Sequence, residues 1–265
     1  MTDVIIREVR REDRDPLAAL WQRVFQDPPE LSRGFLEDLP ELGGGVCAEE
    51  DGVLLGAAYA VTDYFLEERR LAYLYAVAVL PEARGRGLGA ALSREAAVLG
   101  RELGAEIVCT CPAEDSLYPW YARIIGVRPA LRQREERIES RPGEIPTPLS
   151  PEEYGARREA LLAGTPHVHL GPAVLRREKA NCRLCGGELL EIGGGIAAVY
   201  CDEGEARIRE LLAPAGADRA ALAAALGAAY GTERALLLTP DPAGEPCLAA
   251  DRPLPEGCVW GLTLD

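Results

Sequence analysis

Lysine is almost missing from this sequence: Lys179 is the single lysine, and arginine supplies the rest of the 29 basic residues. A nucleotide P-loop is excluded, since no Gly-Lys-Ser/Thr follows any glycine-rich stretch. Long apolar runs are lacking too. Nothing approaches about 18 consecutive apolar residues, so no membrane-spanning helix is expected. The opening run, Met1-Thr2-Asp3-Val4-Ile5-Ile6-Arg7, has no basic segment followed by an apolar one. No signal peptide is expected, and the expected location is cytoplasmic. Positive charge is in deficit throughout. The 43 acidic residues leave a net charge of −14, spread over both halves of the chain. Such a field repels nucleic acid and anionic membrane, so neither is an expected partner. The apolar fraction of 48% is ordinary for a folded domain and excludes disorder.

Cysteine is present, eight times in 265 residues. In a chain this long without a signal, these read as reduced thiols packed as small apolar side chains. Cys182-x2-Cys185 is the one metal-like spacing, with His167 and His169 upstream. A structural zinc site usually needs two such pairs at close spacing, and no metal is expected.

The pattern of the first half alternates strand and helix. Val4–Val9 alternates, Asp15-Pro16-Leu17 opens a helix, and a second short helix covers 30–39. Gly43-Gly44-Gly45 reads as a break, followed by a hairpin over 46–64 with an Asp51-Gly52 turn. Leu71–Val79 carries no charge and reads as a central strand buried on both faces. After Pro81, apolar residues from Leu88 to Leu103 keep helical spacing. Ile107–Cys111 is a short strand, and Ser116 or Asp115 can cap a further helix bearing Tyr118 and Tyr121. The segment 141–150 is rich in proline and reads as a linker. It ends on Ser150-Pro151-Glu152-Glu153, a capping box that starts a new unit. The order implies an α/β fold with a mixed sheet, in two domains: 1–140, then 151–265.

Chemistry concentrates in Arg84-Gly85-Arg86-Gly87-Leu88-Gly89-Ala90, between a buried strand and an amphipathic helix. Its glycines let consecutive N–H groups converge, and the following helix adds four unpaired N–H groups and a positive dipole end. Together they form a cradle suited to a pyrophosphate, to which Arg84 and Arg86 add mobile positive charge. Gly85-x-Gly87-x-x-Ala90 also fits the dinucleotide glycine pattern. That fold, however, wants an acidic residue at the end of the next strand, where Cys109-Thr110-Cys111 stands.

The run Val77-Ala78-Val79-Leu80-Pro81-Glu82-Ala83-Arg84-Gly85-Arg86-Gly87-Leu88-Gly89 resembles the pyrophosphate signature of the GNAT superfamily of N-acetyltransferases, Arg/Gln-x-x-Gly-x-Gly/Ala. The resemblance extends over residues 3–140 in element order. It implies a fold whose fourth and fifth strands splay apart, with acetyl-CoA as acyl donor. Its pantetheine would pair with the strand around Val77, Ala78 and Val79, and its pyrophosphate would rest on the amides of Arg84 to Ala90. An N–H near Val79 would polarise the thioester carbonyl.

The same resemblance implies a tyrosine acid for the departing thiolate. Tyr121, in Trp120-Tyr121-Ala122-Arg123-Ile124-Ile125-Gly126-Val127, fits that role, with Tyr118 one turn earlier as the reserve. The family's helix has one residue fewer before its glycine and an aromatic after it. Many relatives carry a glutamate on the fourth strand, but Leu71–Val79 contains none, so no base is assigned. Tyr73 and Tyr75 alternate with Val77 and are candidates to shape an acceptor pocket; Asp63, Glu67 and Glu68 could line its entrance. The expected acceptor is an amine, on a small molecule or an exposed amino group. A catalytically silent acyl-CoA-binding or sensing module is the alternative.

The second half repeats strand–proline–helix–strand–proline, with Pro214 and Pro240 in the places of Pro81 and Pro112. Where the cradle would fall stands Pro214-Ala215-Gly216-Ala217-Asp218, and Asp218 opposes a phosphate. This half is expected to be a degenerate GNAT-like copy without its own cofactor, with strands near 246–250 and 258–264 closing the chain.

Overall fold

The computed structural model describes residues 3–202 and 204–264. Two compact units make up the chain: residues up to Ala130 together with Cys247–Leu254, and Leu131–Pro246 together with the residues from Pro255 on. Residues 141–150, read as a linker, thus fall in the second unit. Cys247–Leu254, far along the sequence, falls in the first.

The elements of the first unit run β1 (Ile5–Glu8), α1 (Arg14–Phe25), α2 (Pro29–Leu42), β2 (Gly43–Glu50), β3 (Val53–Leu66), β4 (Arg69–Val79), α3 (Leu88–Glu102), β5 (Ile107–Thr110) and α4 (Leu117–Ile125). Strands β1 to β4 are antiparallel neighbours, and β5 lies parallel to β4 across the α3 crossover. On the far edge of β5, Ala249 and Ala250 pair antiparallel with Thr110 and Cys109. Asp251 fixes that segment: its carboxylate accepts from the Val108 N–H at 2.9 Å and pairs with Arg101.

Two layers cover this sheet. Small residues Ala58, Ala60 and Ala72 let the apolar face of α3 (Leu92, Ala96, Leu99) approach closely. On the other face Trp21 and Phe35 meet Tyr59 and Tyr75, with ring centroids 5.1–5.9 Å apart. Burying a side chain such as Phe35 contributes roughly 1.5–3 kcal/mol. The Asp51-Gly52 turn forms as predicted, both residues at positive φ (52° and 79°), as a type I′ hairpin requires. Gly43-Gly44-Gly45 differs from expectation: these glycines open β2. A Cβ on Gly43 would lie 2.1 Å from the Ala60 carbonyl oxygen, and one on Gly45 2.6 Å from the Tyr59 ring. Close approach of neighbouring strands, not a chain break, explains them.

The second unit contains most of β6 (Arg128–Glu139), then β7 (Thr147–Pro148), α5 (Pro151–Leu161), β8 (Val168–Leu170), α6 (Pro172–Leu184), β9 (Glu188–Ile192), β10 (Gly195–Asp202), β11 (Glu205–Leu212), α7 (Arg219–Ala229), β12 (Arg234–Pro240) and the start of β13 (Glu245–Ala250). The capping box is present: Ser150 Oγ accepts from the Glu153 N–H at 3.1 Å, and Glu153 Oε2 accepts from the Ser150 N–H at 2.8 Å. Strands β9, β10 and β11 form an antiparallel meander; β12 is parallel to β11 and antiparallel to β6. Residues 258–264 form no strand. Val259 makes one isolated bridge to His167, and positive φ at Gly261 (89°) and Leu264 (64°) breaks the extended run. Trp260 and Leu262 are nonetheless buried. Among the described residues no helix is long and apolar enough to cross a membrane, and all eight cysteines are free thiols.

Candidate active site

The site is built where β4 and β5 part. Their pairing runs from Leu71 opposite Ile107 to Leu74 opposite Thr110 and goes no further. Just beyond, β4 bulges. Tyr75 faces Tyr59 and Ala78 faces Ala57, so Ala76 and Val77 together oppose Ala58. Ala76 takes up the extra residue at φ 48°, and a bulge re-aims the strand. Val77 and Val79 pack with the α3-side core, whereas Tyr73 and Tyr75 belong to the aromatic cluster under α1 and α2. The bulge therefore separates Tyr73 and Tyr75 from Val77, contrary to the simple alternation. Among the described strands, β4 from Tyr75 to Val79 has β3 as its only neighbour. Its other edge presents backbone groups of the kind an extended ligand can pair with.

The glycine loop lies at the end of that edge. Gly85 and Gly87 sit at φ 78° and 79°, and a Cβ on either would meet nothing within 4 Å. Their glycine identity answers to backbone conformation, not to crowding. The first bond of α3 runs from the Ala91 N–H to the Gly87 carbonyl, so the N–H groups of Leu88, Gly89 and Ala90 have no partner within the helix. Leu88 itself is buried and anchors the turn. The two arginines are less mobile than expected. Arg84 Nε donates to the Val79 carbonyl at 3.2 Å. Arg86 is clamped by both oxygens of Glu50, at 2.6 and 3.0 Å, and this guanidinium holds the Glu50 carboxyl below the usual range. The residues fit a pyrophosphate through backbone amides, with the Arg86 charge already matched.

Tyr121 and Tyr118 are both buried on α4, in a cluster with Val127 and Ala249. Burial raises the Tyr121 pKa, and a hydrogen bond with Thr110 pulls it the other way. The Thr110 hydroxyl donates to the Leu74 carbonyl at 3.0 Å. Its one proton is thereby spent on that carbonyl. Tyr121 thus faces the last residue pair before β4 and β5 separate. Trp120 stands edge-on to Tyr121, centroids 4.8 Å apart, and reaches toward Gly89, whose Cβ would lie 3.9 Å from its ring. The sequence reading missed Thr110 and Trp120. Thr110 was the one hydroxyl in the apolar run Ile107–Cys111, a signal available in principle. Ser116 does not cap α4 with its side chain; its hydroxyl bonds Glu114 instead. Glu67 and Glu68 occupy the β3–β4 turn, at the opposite end of β4 from the glycine loop, so they do not line an entrance beside it.

The arrangement is that of a mixed α/β domain with a glycine turn and a helix N-terminus at the open end of a split sheet. Residues 6–127, a little under half of the chain, match the model of the acetyltransferase (GNAT) family. Solved structures share the fold. A conserved protein of unknown function from Enterococcus faecalis V583, described as a probable N-acyltransferase, aligns over 94% of this chain and 72% of its own, with TM-score 0.69 and 16% identity. A GCN5-related N-acetyltransferase from Kribbella flavida aligns over 94% and 71%, with TM-score 0.68 and 16% identity. Eis1 from Mycobacterium abscessus aligns over 93% and 73%, with TM-score 0.60 and 17% identity. No curated protein matches the chain in sequence.

Proposed function

We propose that the first unit transfers an acetyl group from acetyl-CoA to an amine by direct attack. The observation that carries this reading is the convergence at one place of the unpaired β4 edge, the amides at the start of α3, and the Tyr121 hydroxyl. Acetyl-CoA supplies an activated acyl group as a thioester. The β4 edge at Val77, Ala78 and Val79 would align its pantetheine, and the amides of Arg84 to Ala90 would hold its pyrophosphate. The amine, with an ordinary pKa of about 10, must first lose a proton to solvent water, since β4 carries no carboxylate to take it. The N–C bond then forms as the C–S bond breaks. Tyr121, kept protonated by burial, gives its proton to the thiolate and is reprotonated by the one the acylated nitrogen sheds. Tyr118 is the reserve for that role. No metal takes part in this scheme.

The second unit reads as a degenerate GNAT-like half. The support is topological: α7 joins parallel strands β11 and β12 as α3 joins β4 and β5, and β11 also carries a bulge after a short parallel pairing. At the start of α7, however, Asp218 caps the helix, its carboxylate accepting from the Ala221 N–H at 3.0 Å. A negative side chain holds the place an anion would need.

One observation favours the silent acyl-CoA-binding alternative: β4 lacks a base. Thiol release from acetyl-CoA, screened over small amines, polyamines, aminoglycosides and peptides, separates the two. Amine-dependent release supports transfer; bound acetyl-CoA that no amine discharges supports the silent module.

A further inference from the structure

The chain has only two histidines, and the fold of the second unit brings both to one glutamate. His167 and His169 alternate along an extended segment, so their rings lie on one face while Val168 between them is fully buried. The ring centroids are 4.4 Å apart. Glu159, on the last turns of α5, reaches the pair across the turn at Gly164. Its Oε2 lies 3.1 Å from His167 Nε2 and 2.6 Å from His169 Nδ1. The three ligating atoms all lie within 4.8 Å of one another.

Hydrogen bonding fixes the tautomer of His167. Its Nδ1 is 2.7 Å from the Thr165 carbonyl oxygen. A carbonyl only accepts, so Nδ1 carries the proton. In the neutral ring, Nε2 then presents a lone pair straight at a carboxylate oxygen. Two acceptors at 3.1 Å need positive charge between them, which either a second ring proton or a metal ion supplies. An imidazole whose far nitrogen donates to a backbone carbonyl is also the usual setting of a metal-bound histidine, oriented from behind. Arg158 does not supply the charge. It approaches the other oxygen, Oε1, only to 4.0 Å and is paired with the buried Glu210.

We propose that Glu159, His167 and His169 bind a divalent first-row transition-metal ion, with zinc as its representative. Two imidazoles and one carboxylate suit such an ion and not calcium or magnesium. Bonds of about 2.0–2.2 Å place neighbouring ligand atoms of a tetrahedral site about 3.3 Å apart. The Glu159 contacts at 3.1 and 2.6 Å open by about 0.2 and 0.7 Å to reach that spacing, and Glu159 and His169 are both half-exposed side chains. The same exposure leaves a fourth position for water or an outside ligand. Bound metal would tie the end of α5 to β8 across the Gly164 turn. The sequence reading named Cys182-x2-Cys185 with His167 and His169 as its one metal-like spacing and expected no metal; Cys182 is fully buried, and among the described residues the two histidines group with Glu159 instead.

The two histidines make a direct test. Imidazole 15N resonances of the whole protein are followed as Zn2+ is added. Both rings are expected to shift together and saturate at one equivalent per chain. Glu159→Gln and His169→Gln, each at a half-exposed position, should weaken binding at least about tenfold, while Cys182→Ala leaves it unchanged. Imidazole resonances that stay put at one equivalent overturn the proposal, whether zinc goes to thiols or does not bind. So does zinc affinity unaltered by Glu159→Gln. The wild-type spectrum decides the matter even if a variant misfolds.

Discussion

Tyr121 stands beside Thr110, and Thr110 is the residue at which β4 and β5 stop pairing. The proton that the proposed reaction needs is therefore stored at the apex of the split. Tyr121→Phe should lower turnover by about 10²-fold or more, as loss of a general acid does, with acetyl-CoA affinity unchanged. Steady-state kinetics beside calorimetry checks this; unchanged turnover would remove Tyr121 from the mechanism. Because the Tyr121 pKa is raised, its proton is held past the ordinary tyrosine value of about 10. No loss of rate below that pH should trace to it.

The glycine loop separates two effects. Gly87→Ala places a Cβ at φ 79° in open space, where the left-handed backbone costs about 1–2 kcal/mol; acetyl-CoA binding should weaken about tenfold. Gly89→Ala meets only ordinary contacts at 3.8–3.9 Å and lies inside α3, where alanine is favoured by up to about 1 kcal/mol. It should raise the melting temperature while still crowding the acyl donor. Melting curves and acetyl-CoA titrations on both variants test the pair.

The legible parts of this fold were those written in local chemistry. The Ser150 capping box, the Asp51-Gly52 turn and the proline–glycine flanks of α3 each act within a few residues. What the sequence hid depends on distance. Gly43 and Gly45 looked like a break because their reason lies in β3, at Ala60 and Tyr59. The bulge at Ala76 carries no glycine or asparagine to announce it. Cys247–Leu254 sits with the first unit through Asp251, which finds its partners at Val108 and Arg101, some 150 residues away. Likewise His167-x-His169 was visible as a spacing, whereas Glu159 joins it only after a helix and a turn.

In the second unit, Arg158 and Glu210 form a buried pair at 3.1 Å, with Tyr154 donating to the same carboxylate at 2.7 Å. Breaking the pair strands a charge. Arg158→Met should cost about 3–5 kcal/mol of stability, and Arg158→Met with Glu210→Met should recover much of it. Denaturant unfolding of the single and double variants reads this.

Acid should act partly through Asp13. Its carboxylate is held below the usual range first by the Arg7 guanidinium, at 2.7 and 2.9 Å, and also by the Arg10 N–H. A depressed folded pKa means stability fully present above the unfolded value of about 3.9, lost as pH falls through the folded one. The stability gap between the wild type and Asp13→Asn should therefore close below about pH 4 in urea titrations run across pH.

Calorimetric titration of acetyl-CoA tests the central claim most directly, because it reads the cradle and its absent twin together. One equivalent per chain, with affinity reduced about tenfold in Gly87→Ala, is the predicted result. No binding, two equivalents, or binding indifferent to Gly87→Ala would contradict it.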